Sequence, residues 1–324
     1  MDYPSPEMPH PLAIQIGSTL PFSLQGPNMN MGYSAPDPNA LLNVINGITD
    51  PSPNSDYGHE LTFLRLMKDQ SNVYRNVIQT AYNSPLNSGV TYPTNNKLAD
   101  QLKIVAKLIN GGLQTPVYIV NHPNTHDTHE NQVSSTDKTQ GSQAVNLTLL
   151  SQAIGAFQQE IAYMDKEDKV TGMTFSEFGR RIKSNASGGT DHGAAAPLFL
   201  FGKNVRGGVF GDNPAIPAAA TSNDNIPYQY DFRSVYNTIL QNWFCVSATA
   251  EIEILLKQFP TIPLINASVC GIKDKNSVFT KEALIYNYPN PFTNMTKIEF
   301  KTNGGNTSLQ LLNGEGTVIQ ILVE

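Results

Sequence analysis

Apolar residues fall along this chain in short runs whose period changes from segment to segment, and each period predicts a different element. Leu12-Ala-Ile-Gln-Ile16, bounded by Pro11 and Gly17, predicts a buried strand. A Gly/Pro/Asn-rich loop follows, to about Ser55. From Glu60 the residues Leu61, Leu64, Met67, Val73, Val77 and Ile78 approximate helical spacing, and Leu98, Leu102, Val105 and Leu108 repeat it more cleanly. Two helices packed on a core are expected there. Thr115-Pro-Val-Tyr-Ile-Val120 is a continuous β-branched and aromatic run, the pattern of a strand covered on both faces. Leu147, Leu150, Ile154, Phe157 and Ile161 then form an apolar stripe on a helix of roughly 18 residues, with Met173-Thr-Phe175 as a short strand after it. Strand, loop, helix, strand predicts a βαβ unit. Leu198-Phe-Leu-Phe201 adds a strand. Phe232, Val235, Tyr236, Ile239, Leu240 and Trp243 mark a helix that Asp231 caps. Alternation of this kind predicts an α/β layer fold over residues 1–270.

The pattern changes near residue 280. After a Pro-punctuated entry at Tyr288-Pro-Asn-Pro-Phe292, three segments alternate at roughly period two: Thr296–Phe300, Ser308–Leu312 and Val318–Leu322. Asn303-Gly304 and Asn313-Gly314 separate them as turns. A small antiparallel β module over 286–324 is expected, joined by a linker at 271–285 and ending within or just after its third strand.

Composition narrows the class. With 324 residues and 40% hydrophobic content, the chain has enough apolar surface for a substantial core, which excludes disorder as the main state. Lys+Arg total 21 against 27 Asp+Glu, and no basic cluster exceeds an adjacent pair such as Arg180-Arg181, so no nucleic-acid or anionic-membrane partner is expected. Apolar runs such as Pro197–Phe201 fall far short of the roughly 20 residues that span a bilayer. Two cysteines, Cys245 and Cys270, are too few for a disulfide framework and fit neither a zinc ribbon nor a CxxC pair, so they leave the compartment open. The low charge, 15%, with many Asn, Ser, Thr, Gly and Pro residues, suits an exported protein. Met1–His10 lacks the basic and apolar regions of a secretory signal, so either the protein is not exported or its true start is missing.

Three segments carry candidate chemistry. Asn121-His-Pro-Asn-Thr-His-Asp-Thr-His129 places three of the six histidines and a carboxylate just past a strand, where α/β sheets bind ligands. Asp127 and His129, an extended i, i+2 pair, share a face and can converge on one cation, while the His122, His126, His129 spacing also suits zinc. The alternative is a solvated polar loop with hydrogen-bonded imidazoles. Ser187-Gly-Gly-Thr-Asp-His-Gly193 frames Asp191 and His192 with glycines that allow close backbone approach, or is simply a turn with a cap. In Ser176-Glu-Phe-Gly-Arg180, Glu177 reads as a carboxylate behind the ligands and Arg180 as a clamp for an anionic substrate, unless both belong to an ordinary surface ion pair.

Taken together, Asp127-Thr-His129 with Gln132, Ser176–Arg180, Gly188–Gly193, Gly207-Gly-Val-Phe-Gly-Asp212 and Tyr230-Asp-Phe-Arg-Ser-Val-Tyr236 with Trp243 resemble the ordered motifs of domain-of-unknown-function family 1501, placed in the alkaline phosphatase superfamily. The resemblance covers roughly residues 8–265. It implies an alkaline-phosphatase-like sheet flanked by helices, incomplete here, and a divalent-metal centre, zinc among the options, with Asp127, His129, Asp191 and His192 as ligands. Such enzymes use two cations to activate a Ser or Thr nucleophile and displace a phosphate or sulfate ester. Two departures stand out: no Gly-framed Ser or Thr strand precedes Leu12, and no histidine follows His192.

Tyr286-Asn-Tyr-Pro-Asn-Pro-Phe292 with the segments after it is similar to the sorting domain that addresses proteins to type IX secretion, a small β-sandwich module, here partial. That resemblance implies the type IX machinery as a partner and the cell surface or medium, by way of the periplasm, as the destination. The expectation is therefore a chain cut at both ends: a secreted, metal-dependent phosphatase/sulfatase-like hydrolase fragment, inactive as given, that binds cations weakly or not at all. The competing reading is a non-catalytic cell-surface protein that keeps the fold and binds surface glycans.

Overall fold

A computed structural model of the chain describes residues 10–17, 24, 32–35, 52–122 and 126–266, and four C-terminal strands between 285 and 323. Helices and strands are mixed, with small parallel and antiparallel sheets. The chain divides into two compact units, Met1–Tyr230 and Asp231–Glu324.

In the first unit, β1 (Ala13–Ile16) is wholly buried because it is the middle strand of three, flanked in parallel by β2 (Gly32–Ser34) and β3 (Val117–Val120). The strand β2 lies inside the stretch expected to be loop; three residues, one of them glycine, offer no apolar period to read. The strand β3 is not covered on both faces as its composition suggests: Val117 is 37% exposed and the rest half-buried. The cause is position, since β3 pairs only with β1 among the described strands and so forms an edge.

Between β1 and β3 the chain runs through α1 (Asp56–Tyr82) and α2 (Lys97–Asn110). The Ser55 side chain caps α1 by accepting from the Gly58 amide, which starts the helix ahead of its first apolar repeat. Asn96 caps α2 the same way from the Ala99 amide, and its Nδ2 donates to the Leu149 carbonyl of the next helix at 2.7 Å. At the end of α2, a Cβ on Gly111 would lie 2.1 Å from the Ala81 carbonyl, so only glycine lets the two helices close there. Leu98, Leu102, Val105 and Leu108 are buried as their spacing predicts, in a core that also holds Ile14, Ile16, Tyr74 and Ile78.

Helix α3 (Ser142–Tyr163) also packs on this core, on a face rotated from the expected one. Phe157 and Ile161 are buried, but Leu147 is 41% exposed, and Ala153, Ala156 and Glu160 complete the inner side. Small residues win the contact because they let α3 approach α2 closely. Among the described strands the expected βαβ closure does not form. Strand β4 (Gly172–Met173) pairs antiparallel with β7 (Leu200–Phe201), while Phe175 is 62% exposed. The chain folds back on itself there: the Thr174 amide donates to the Phe199 carbonyl and the Phe199 amide to Thr174 Oγ1, both at 2.9 Å, which satisfies the segment locally. Inside this excursion, β5 (Gly179–Arg180) and β6 (His192–Gly193) form a second ribbon that sets Arg180 opposite His192.

In the second unit, Asp231 caps α4 (Phe232–Asn242) as expected, but of the expected stripe only Val235 is buried, and Phe232 is 57% exposed. The inner side is polar: Ser234, Asn237 and Thr238, with Glu251 from α5 (Ala248–Leu255). Farther on, β8 (Ile285–Tyr288) pairs antiparallel with β9 (Lys297–Phe300), and β10 (Leu309–Leu312) with β11 (Val318–Val323). Asn313-Gly314 thus lies between paired strands. Among the described strands Asn303-Gly304 does not, because β9 takes its partner from the Tyr286–Tyr288 entry segment instead. The expected linker, apart from Ile285, lies outside the described residues.

Candidate metal centre

Two loops build the site. In the first, the chain past β3 turns tightly at Asp127, where the Thr128 amide donates to the His126 carbonyl at 2.9 Å; Thr128 is buried while Asp127 and His129 are exposed. The second loop is shaped by glycines. Gly188 takes φ +72°, and a Cβ on Gly189 would lie 2.2 Å from the His129 carbonyl carbon, so the backbones touch where no side chain could stand between them. The contact is zipped by hydrogen bonds: the Thr190 amide to the Thr128 carbonyl at 3.2 Å, and the Gln132 amide to the Gly188 carbonyl at 3.1 Å. Thr190 Oγ1 also donates to Gln132 Oε1 at 2.8 Å.

This zipper brings Asp127, His129, Asp191 and His192 together although His129 and Asp191 are 62 positions apart. Asp127 Oδ1 lies 2.8 Å from His192 Nε2, 3.0 Å from His129 Nε2 and 2.9 Å from Arg180 Nη2. The other ring nitrogen of His129, Nδ1, faces Asp191 Oδ1 at 3.2 Å. The His192 ring stacks on Phe178, with centroids 3.6 Å apart and planes 11° from parallel. Charge-assisted hydrogen bonds hold both carboxylates below the ordinary range: Asp127 through His192 first and then Arg180, Asp191 through Asn185 and then His129.

One atom each from Asp127, His129 and His192 lie within 4.8 Å of one another, and all three side chains are exposed. The donor set fits a divalent cation. A neutral imidazole has one N–H; in the tautomer that gives Nδ1–H to Asp191, the His129 Nε2 lone pair is left to bind a cation beside the Asp127 oxygen. Bonds of about 2.1 Å at tetrahedral angles would set donor atoms about 3.4 Å apart, a few tenths wider than the two spacings from Asp127 Oδ1 to the His129 and His192 nitrogens. Three protein ligands leave a fourth position open.

Other residues flagged by sequence take different places. Glu177 is exposed and makes no hydrogen bond or ion pair among the described residues. Arg180 points inward, 19% exposed, bonded to Asp127 and to the carbonyls of His126 and Thr190. His122 and His126 contact each other edge-on at 5.1 Å, outside the ligand set; burial and the neighbouring His122 lower the pKa of His126. Val209–Asp212, from the Gly207–Asp212 motif, and Tyr230 line a separate open cleft, where Gln229 accepts from the Asp212 amide at 2.6 Å. Asn185 was not foreseen. Its Nδ2 donates to the His129 carbonyl at 2.9 Å and to Asp191 Oδ1 at 3.1 Å, while its Oδ1 accepts from the Ser187 and Gly189 amides. An Asn two residues before Ser-Gly-Gly is a turn signal in sequence, and its reach to the other loop is visible only in the fold.

Fold and site define a class: an α/β protein with an exposed Asp/His cluster suited to one divalent cation. Residues 102–242 match the model of the family described as Protein of unknown function (DUF1501), a span that contains every residue of the cluster. No curated protein and no solved structure matches the chain.

Proposed function

We propose that this chain is a metal-dependent hydrolase-like protein of the phosphatase and sulfatase type, built on an alkaline-phosphatase-like fold. The carrying observation is the two-sided setting of His129, whose Nδ1 meets Asp191 while Nε2 faces Asp127 beside His192. Asp127, His129 and His192 would hold the cation, and Asp191 would orient His129 from behind. Phe178 fixes the plane of His192, and Asn185 holds Asp191 and the backbone of His129. A bound divalent cation supplies charge stabilisation for a phosphate or sulfate ester.

The same proposal places the protein at the cell surface or in the medium, with the type IX machinery as partner and 286–324 as a β-sandwich sorting module. The Tyr-Pro-Asn-Pro-Phe segment and the two antiparallel strand pairs support this. So does the disulfide at Cys245, which suits an oxidising compartment. Among the described residues no helix is long and apolar enough to cross a membrane.

A second reading is a non-catalytic surface protein that binds glycans. It is favoured by the ligand set found among the described residues, one atom each from Asp127, His129 and His192, which suits a single cation. Zinc titration of the chain and of Asp127→Ala, followed by assays on p-nitrophenyl phosphate and p-nitrophenyl sulfate, separates the two. Zinc-dependent hydrolysis lost in Asp127→Ala establishes the hydrolase. Binding without hydrolysis selects the surface protein, and absence of binding removes both metal roles. Deleting 286–324 in a host with type IX secretion should leave the protein in the periplasm.

A further inference from the structure

We infer that Arg180 is a positioning residue that sets the gap between the two ligand loops, so that the donor atoms stand in register before any cation arrives. The inference rests on the metal reading of Asp127, His129 and His192 and assigns Arg180 a role other than a clamp on substrate. One guanidinium reaches both loops. Its Nη1 donates to the Thr190 carbonyl at 2.6 Å, and its Nη2 donates to the His126 carbonyl and to Asp127 Oδ1. His126 immediately precedes Asp127, and Thr190 immediately precedes Asp191 and His192. The fork therefore fastens the backbone one residue upstream of each ligand group.

Its own strand makes this possible. The ribbon register sets Arg180 opposite His192, and the Arg180 amide donates to the Ala195 carbonyl at 3.3 Å, fixing the base of the side chain. The side chain is 19% exposed, whereas Asp127, His129 and His192 are 40–48% exposed: brace inside, ligands outside. A planar guanidinium with fixed donor directions can span two carbonyls and a carboxylate at once, which a lysine ammonium on a flexible stem cannot do.

The same charge sits 2.9 Å from a ligand oxygen, which suggests the opposite role, a competitor that a dication must displace. Geometry decides between the two. Of the three acceptors, two are backbone carbonyls that are not among the candidate donor atoms, so the fork keeps its grip when a cation takes up Asp127.

The test uses the full chain, Arg180→Lys and Arg180→Gln, with Co2+ as the probe. Affinity is read by chelator competition and ligand geometry by the visible absorption of the bound ion. A brace predicts that both variants lose affinity by about 10-fold or more, with Lys no better than Gln and an altered cobalt spectrum in both. A competitor predicts tighter binding in Arg180→Gln and wild-type affinity in Arg180→Lys. That result, or unchanged binding in both, overturns the inference.

Hydrogen exchange on the metal-free chains supplies an arm that needs no metal. The amides of Thr190 and Gln132, which join the loops, should exchange faster in both variants while those of α2 do not change. Should the wild-type chain bind no Co2+, the metal reading fails, and the exchange arm alone decides whether Arg180 braces the loops: faster local exchange keeps the brace, and unchanged exchange removes it.

Discussion

Around β1 the first unit is held by apolar burial, with Ile14, Ile16, Ile78 and Leu108 at most 2% exposed. Around Asp127 the same unit keeps its functional side chains exposed, and its two loops are held by backbone hydrogen bonds, an Asn, an Arg and a glycine at van der Waals contact. Burial is non-directional and roughly additive in area. Hydrogen bonds near solvent add little net stability, but they fix distance and angle. The core therefore supplies the free energy that keeps the unit folded, and the loops supply the geometry a cation would read.

Leu108→Ala should break the first half of that comparison. A fully buried leucine in a close-packed core loses about 2–5 kcal/mol on truncation. Urea unfolding should show that loss, while zinc affinity of the fraction still folded stays at the wild-type value. Gly189→Ala should do the reverse. Its methyl group would stand 2.2–2.4 Å from the backbone of His129 and Thr128, so the loops must separate. A stability cost of about 1–3 kcal/mol is expected, together with loss of zinc binding measured by chelator competition. Retention of wild-type zinc affinity in Gly189→Ala would show that loop contact is not what assembles the ligands.

The contrast also explains which parts were legible in the sequence. Strand β1 and helix α2 were visible because burial imposes a period, and Leu98, Leu102, Val105 and Leu108 display it. The inner face of α3 is only partly legible: Leu150, Phe157 and Ile161 of the expected stripe pack on the core, but Ala153, Ala156 and Glu160 do not count as apolar markers. In the loops, residue type alone pointed to Asp127, His129, Asp191 and His192, since few other side chains bind cations. Phe178 and Asn185 were not legible: a stacked ring and a cross-loop amide depend on a long-range meeting that no local pattern encodes. Arg180 stands out in the sequence by its charge, yet its side chain faces inward, because charge says nothing of direction.

Helix α4 sharpens the comparison, since its buried side is polar yet shielded. Thr238, fully buried, donates to the Ser234 carbonyl at 2.8 Å and accepts from the Ile262 amide at 2.8 Å. Glu251 accepts from Gln241 at 2.6 Å and from the Phe259 amide at 3.2 Å. Here hydrogen bonds serve stability because water cannot replace them. Thr238→Val keeps shape and volume but leaves the Ile262 amide unpaired, so a loss of about 1–3 kcal/mol is expected in urea unfolding. A neutral result would place water at that amide.

The smallest effect expected lies at the exposed start of the same helix. Asp231 accepts from the Arg233 amide and from the Arg233 guanidinium at 2.7–2.9 Å, and that side-chain pairing lowers its pKa to about 2. A carboxylate with a lowered folded-state value stabilises the fold above its unfolded value and loses that contribution as pH falls through the folded one. The window therefore runs from about pH 4 down to about pH 2. Asp231→Asn keeps the capping oxygen and removes the charge, so the wild-type advantage should be at most about 1 kcal/mol near pH 5, the scale of a screened surface pair. It should shrink toward zero at pH 2 in paired urea titrations. An advantage that stays constant across that window would mean the cap geometry, not the ion pair with Arg233, is what Asp231 contributes.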